Sequence, residues 1–152
     1  MADLTFRKAM AGDVPVIVAM LADDPLGAQR EKLGPPLGEA YLPAFAAIDS
    51  NPMNELIVAE LTGEVVGCMQ LTFIPGLSHQ GMTRCLIEAV RVRADQRGKK
   101  FGEAMMAHAV ERAKARQAGV VQLTSDKSRL DAHRFYERLG FKQSHAGFKL
   151  KL

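Results

Sequence analysis

The sequence predicts a mixed α/β domain, and three observations carry that expectation. The spacing of apolar residues switches along the chain between helical and strand periods, with a strand–helix–strand unit in the second half. Glycine, proline and asparagine separate these stretches at short intervals. At 152 residues, 47% hydrophobic and 24% charged, the chain has the size and balance of one globular domain, spanning 1–152, around one core.

Residues 4–8 alternate and read as a first strand. Asp13 stands where an N-cap belongs and Pro15 suits a first helical turn, so residues 14–21 form a helix. Residues 23–36 turn to proline, glycine and charge and read as a loop. A second helix covers 39–48 and ends at Ser50, Asn51 and Pro52. Residues 56–61 and 64–73, joined by Thr62-Gly63, make a β-hairpin. A loop over 75–81 leads to a strand over 85–92. Residues 101–117 place Phe101, Met105, Met106, Ala109, Val110 and Ala113 on one face of a long helix, with Gly119 as a left-handed cap. A short strand over 120–124, a helix over 131–139 closed by Gly140, and a final strand or hairpin over 141–152 complete the order β-α-α-β-β-β-α-β-α-β.

Composition removes several classes. No run approaches the roughly 18 apolar residues of a membrane span. The N-terminal MADLTFRKAMAGD is charged throughout and is no secretion signal. Two cysteines, Cys68 and Cys85, are too few for a disulfide scaffold and fit a cytoplasmic protein with free thiols. A net charge of +3 does not call for nucleic acid, but it allows an anionic ligand where the charge is concentrated.

That concentration lies between the 85–92 strand and the long helix, in Arg97-Gly98-Lys99-Lys100-Phe101-Gly102. The first turn of a helix leaves N–H groups unpartnered and carries the positive end of its dipole. Glycines at 98 and 102 admit a ligand close to the main chain. The run is therefore built for a phosphate or pyrophosphate. It is neither a P-loop, which needs G-x-x-x-x-G-K-[ST], nor a dinucleotide fingerprint, which needs G-x-G-x-x-G after a first strand.

The same run resembles motif A of the GCN5-related N-acetyltransferases, R/Q-x-x-G-x-G/A. Downstream, Ala132-His133-Arg134-Phe135-Tyr136-Glu137-Arg138-Leu139-Gly140-Phe141 resembles that family's A-x-x-x-Y-x-x-x-G-F signature, and the element order follows the family fold throughout. Two positions depart from the pattern. Lys100 replaces the first motif glycine, which a side chain tolerates where the backbone stays helical and the chain points to solvent. Arg129 replaces an asparagine that often contacts the cofactor's pantetheine arm.

The resemblance implies an N-acetyltransferase moving acetyl from acetyl-CoA to the primary amine of a small polar molecule by direct attack. Val90, Arg91 and Val92 would line the pantetheine arm, with Val90 and Val92 offering main-chain groups like an added strand. The amides from Gly98 through Lys99, Lys100, Phe101 and Gly102 to Glu103 would take the pyrophosphate. Side chains of Arg97, Lys99 and Lys100 either reach the phosphates or point to water. Arg129, Ala132 and Phe135 border the cofactor by motif position. Tyr136 matches the family's acid, which protonates the departing thiolate, and the Val90 N–H would hold the oxyanion.

Glu88 is the expected base. It interrupts an apolar strand, where partial desolvation would raise its pKa, and Ile87-Glu88-Ala89-Val90-Arg91-Val92 followed by Arg97-Gly98-Lys99 resembles glucosamine-phosphate N-acetyltransferases. Its other reading is a solvent-facing residue or a partner for Arg84 or Arg91. Asp126, His79 and water are rival bases. The histidines show no metal-ligand spacing, so no metal is expected. The acceptor site would come from the first two helices and the loops 23–36 and 74–84. A lysine or N-terminal protein acetyltransferase and a non-catalytic acyl-CoA-binding module are the alternatives. No nucleic-acid or membrane partner is expected, and the alternating end Phe148-Lys149-Leu150-Lys151-Leu152 either pairs as an exposed strand in a homodimer or blocks such pairing with its lysines.

Overall fold

The computed structural model describes residues 3–152; Met1 and Ala2, which open the charged N-terminal stretch, lie outside the described residues. The chain forms two compact units, Met1–Gln122 and Leu123–Leu152.

The first unit runs β1 (Thr5–Lys8), α1 (Val14–Ala22), α2 (Gly27–Arg30), α3 (Tyr41–Asp49), β2 (Asn54–Leu61), β3 (Glu64–Ile74), α4 (Ser78–Gly81), β4 (Arg84–Val92), α5 (Phe101–Ala115) and β5 (Val120–Gln122). The strands form one sheet in the order β1-β2-β3-β4-β5. Pairs are antiparallel up to β3–β4, and β4–β5 is parallel. The expected hairpin is present: Thr62 at φ 50° and Gly63 at φ 83° supply the two left-handed residues that a tight hairpin turn requires.

Helices cover both faces of this sheet. Val58 and Cys68 pack with Ala9, Ile17 and Met20, the last two from α1. On the adjacent residue, Gly67, a Cβ would meet the Met105 sulfur of α5 at 2.7 Å. Neighbouring strand residues point to opposite faces, so α1 and α5 sandwich the sheet. Met69, Leu71, Ile87, Met105 and Met106 are fully buried between them, each contributing about 1.5–3 kcal/mol of burial. Two ionic clusters fasten the margins. Arg7 donates to both Asp13 oxygens at 2.7 and 3.0 Å and also pairs with Glu60. Glu55 of β2 accepts from Arg112 at 2.8 Å twice and from Arg116 at 3.1 Å, while Arg116 lies 4.1 Å over the Phe73 ring.

Three local expectations are corrected. Asp13 does precede α1, but its carboxylate accepts the Met10 N–H at 2.7 Å instead of capping that helix. The residues 23–36 are not all loop, since α2 forms within them. Gly119 is not the left-handed cap of α5. That position falls on Gln117, at φ 59°, where Gln117 N–H bonds the Lys114 carbonyl and Ala118 N–H bonds that of Ala113. Gly119 instead lets the chain pass Met82, whose Cγ would lie 2.5 Å from an added Cβ.

The second unit contains α6 (Leu130–Arg138). It ends as expected: Gly140, at φ 97°, and Phe141 return their N–H groups to the carbonyls of Glu137 and Tyr136. The final strand expected over 141–152 is absent. These residues join no ladder among the described residues, and Phe148, Leu150 and Leu152 are exposed. Alternation alone does not make a strand, because its main-chain groups need a partner to pair with.

Candidate active site

The site grows from a change half way along β4. Its first half is paired on both sides: Arg84, Cys85 and Leu86 face Val120, Val121 and Gln122 of β5. Beyond Leu86 the parallel ladder stops while β4 continues to Val92, so the strand's second half has an open edge toward β5. On the other side the register slips. Gln70 faces Glu88 and Cys68 faces Arg91, leaving Met69 opposite both Ala89 and Val90. This is a β-bulge, and Ala89 takes it in a left-handed conformation at φ 54°. An alanine there is strained by roughly 1 kcal/mol. Sequence reading missed it, since the usual marker of such a bulge is glycine.

Past Val92 the chain enters the basic turn. Arg93 ties its start to Asp95 at 2.6 Å and to Glu64 of the hairpin at 3.4 Å. Gly98 sits at φ 80° with nothing within 4 Å of an added Cβ, so its backbone conformation, not crowding, calls for glycine. Lys99 reaches Gln96 at 2.9 Å. Lys100 is exposed as expected, but at φ 63°, ψ 21° it adopts a left-handed backbone, the conformation that favours the motif's usual glycine. The first α5 hydrogen bond runs from Ala104 N–H to the Lys100 carbonyl, which leaves the amides of Phe101, Gly102 and Glu103 at the helix mouth. An exposed turn, a left-handed glycine and these amides can hold a diphosphate.

The two arginines that flank this path are occupied within the unit. Arg91 donates to the Val90 carbonyl at 2.9 Å and pairs with Asp24 at 3.4 Å. Arg97 donates to the Val92 carbonyl at 3.3 Å and to the Asp23 carboxylate and carbonyl at 3.4 Å each. Residues 23 and 24, one side of the expected acceptor site, are thus held against the strand expected to take the cofactor. Sequence reading missed both pairings, because partners some 70 positions apart carry no local spacing signal. A cleft of about 280 Å³ adjoins them, lined by Val16, Ala19, Met20, Ala22, Asp23, Leu33 and Arg93.

Glu88 is exposed, so the desolvation expected of it is absent. It lies between the inward-facing Ile87 and the bulge, on the strand face that solvent reaches. Arg84 turns to Gln122 at 3.4 Å and Arg91 to Asp24, which leaves neither expected arginine on Glu88. His79 lies in α4, a single turn within the expected loop before β4, where His79, Gln80 and Gly81 take left-handed φ of 52°, 59° and 78°. Asp126, in the second unit, spends one oxygen on the Ser128 N–H and hydroxyl at 2.9 and 2.6 Å.

In that unit α6 carries the other motif residues. Tyr136 stacks obliquely on Phe135 at 5.2 Å and meets Phe141 edge-on at 5.9 Å. Arg129 stands at the α6 N-cap, one turn ahead of His133, and Ala132 is half-buried. The thiols are unsuited to nucleophilic work: burial pushes Cys68 up to about 12 and Cys85 to about 11. His108, packed on Phe6 at 4.2 Å, is held below its ordinary pKa mainly by burial. Among the described residues no group of three or more His, Cys, Asp or Glu could hold a metal ion, and no helix is long and apolar enough to cross a membrane.

Comparison with known proteins places this arrangement. The aminoalkylphosphonate N-acetyltransferase of Salmonella typhimurium is 37% identical over 110 residues, 72% of this chain and 71% of that protein. A Bacillus halodurans protein described as a transcriptional regulator is 47% identical, with a TM-score of 0.95 over 99% of this chain and 100% of its own. A candidate acetyltransferase from Agrobacterium tumefaciens is 28% identical, with a TM-score of 0.85 over 97% and 99%. The model of the acetyltransferase (GNAT) family matches residues 21–141. The expectation drawn from the two motifs therefore holds: the chain belongs to the GNAT family and is an acetyl-CoA-dependent N-acetyltransferase.

Proposed function

We propose that the chain works as one acetyltransferase domain that moves acetyl from acetyl-CoA to the primary amine of a small polar molecule by direct attack. The observation that carries this reading is the second half of β4: bulged at Ala89, open toward β5, and running straight into the Gly98 turn at the mouth of α5. That edge has the main-chain groups of Val90 and Val92 for a pantetheine arm, and the turn has the amides of Gly98 to Glu103 for a diphosphate. Arg97 and Lys99 would supplement that charge once drawn from Asp23 and Gln96.

The chemistry divides among few groups. An ammonium has no lone pair, so the amine must lose a proton before it attacks the thioester carbonyl. Glu88, exposed to solvent beside the bulge, takes that proton directly or through water. The Val90 N–H, displaced by the bulge from regular pairing, stabilises the oxyanion. Tyr136, assigned by its motif position, protonates the thiolate as the tetrahedral intermediate collapses, yielding amide and free CoA.

An aminoalkylphosphonate is the first acceptor to test, because the Salmonella relative acts on that class by name. The test is thiol release from acetyl-CoA against aminoalkylphosphonates, amino sugars, polyamines and lysine peptides. Turnover on a small amine with Tyr136→Phe lowering kcat by at least about tenfold is the expected result. Turnover on lysine peptides with none on the small amines would overturn the small-molecule reading.

A further inference from the structure

We infer that Asp24 and Arg91 form a positioning pair that sets the segment 23–36 against the bulged half of β4 when CoA is bound; this rests on the acetyltransferase reading above. Two consecutive carboxylates follow α1, and each meets an arginine of the cofactor path. Exposure separates them. Arg97 and Asp23 are 53% and 52% exposed, a pair that solvent screens to little net worth. Arg91 and Asp24 are 17% and 20% exposed, where the attraction is stronger and loss of one partner strands the other.

The Asp24 carboxylate has a further role that Asp23 lacks. Its Oδ1 accepts the Gly27 N–H at 2.6 Å, and Gly27 is buried so tightly that an added Cβ would lie 1.9 Å from the Leu21 carbonyl oxygen. The start of α2 therefore has little freedom to move independently of Asp24. On the other side, the Arg91 guanidinium donates to the Val90 carbonyl at 2.9 Å, within the peptide that follows the bulge. One guanidinium thus joins the main chain proposed to hold the pantetheine arm to the carboxylate that anchors the acceptor segment. Ligand occupancy on one side is felt on the other through Arg91.

The test uses the full chain and two readouts. Asp24→Asn keeps the size and the acceptor for Gly27 while removing the charge. Amide hydrogen exchange with and without CoA should show protection of 23–36 in the wild type and loss of most of it in Asp24→Asn, with the CoA Kd within about threefold of wild type. In turnover, Asp24→Asn should lower kcat about tenfold while the acetyl-CoA KM stays nearly constant, and Arg91→Lys should retain more activity than Arg91→Met. Glu111→Gln, the same charge change at the exposed Glu111–Lys114 pair of α5, should stay within about threefold in kcat. The pair is overturned if CoA protects 23–36 equally in both proteins, or if Glu111→Gln and Asp24→Asn act alike. A wild type that binds no CoA overturns the acetyltransferase reading together with the pair; one that binds CoA while Asp24→Asn behaves like it overturns the pair alone.

Discussion

The two halves of β4 do opposite work. From Arg84 to Leu86 the strand is paired on both sides, and this half drives Cys85 and Ile87 into the core. From Glu88 to Val92 it loses β5, bulges at Ala89 and draws in arginines that hold residues 23 and 24. One strand thus carries rigidity at one end and an open main-chain edge at the other. The bulge lets both exist without a break in the β3 ladder. Substitutions in the two halves should accordingly separate stability from activity.

The largest stability effect belongs to the paired half. Ile87→Ala removes a side chain only 2% exposed, and should lower unfolding free energy by about 3 kcal/mol, read from the urea midpoint. The protein that remains folded should keep its acetyl-CoA KM. A large rise in KM with an unchanged urea midpoint would show that the halves are not separable.

Next comes the fastening of α5 to β2 beside that half. The Arg112 and Arg116 guanidinia hold Glu55 below its ordinary carboxylate pKa of 4.5. A depressed folded pKa means that the stabilisation is complete above the unfolded value and fades as pH falls through the folded one. Glu55→Gln should therefore cost about 2 kcal/mol at pH 7, and its gap from wild type should narrow as pH drops below 4.5. Thermal midpoints from pH 7 to pH 3 measure this; a constant gap would remove the ion pair from the account.

In the open half the sign of the comparison reverses. Gly98→Ala places a Cβ in free space at φ 80°, so only backbone strain of about 1 kcal/mol opposes folding. Its kinetic effect should be larger, with the acetyl-CoA KM rising about tenfold as the turn shifts away from the diphosphate. An unchanged KM would detach this glycine from the cofactor.

Most of the fold was legible in the sequence, and the reasons are local. The hairpin announced itself by Thr62-Gly63 between two strand-like runs, and α5 by apolar residues at helical spacing. The basic turn was legible because glycine and charge fall together at a helix start. What escaped notice depends on distant or non-glycine positions. Ala89 gave no sign of its bulge, Asp23 and Asp24 found arginines far along the chain, and the alternation of 148–152 met no partner. Glu88 misled for a related reason: an apolar strand reads as buried on both faces, but the face that holds Glu88 is open to solvent.

The smallest effects come from two non-glycine residues in left-handed conformations, one in each kind of environment. Gln117 closes α5 at φ 59°, and Lys100 opens it at φ 63°. Glycine would relieve steric strain at either position, offset by the entropy that glycine loses on folding, for a net gain of about 0.5–1 kcal/mol. Gln117→Gly should raise the thermal midpoint and leave kinetics alone, because that cap bonds only to the helix's own carbonyls. Lys100→Gly should raise it similarly but also move the acetyl-CoA KM. It restores the motif glycine while removing a cation from the helix mouth, and Lys100→Ala separates the two by removing the cation alone. If Lys100→Ala matches wild type in KM, the lysine's charge is solvated, and the turn binds through its main chain.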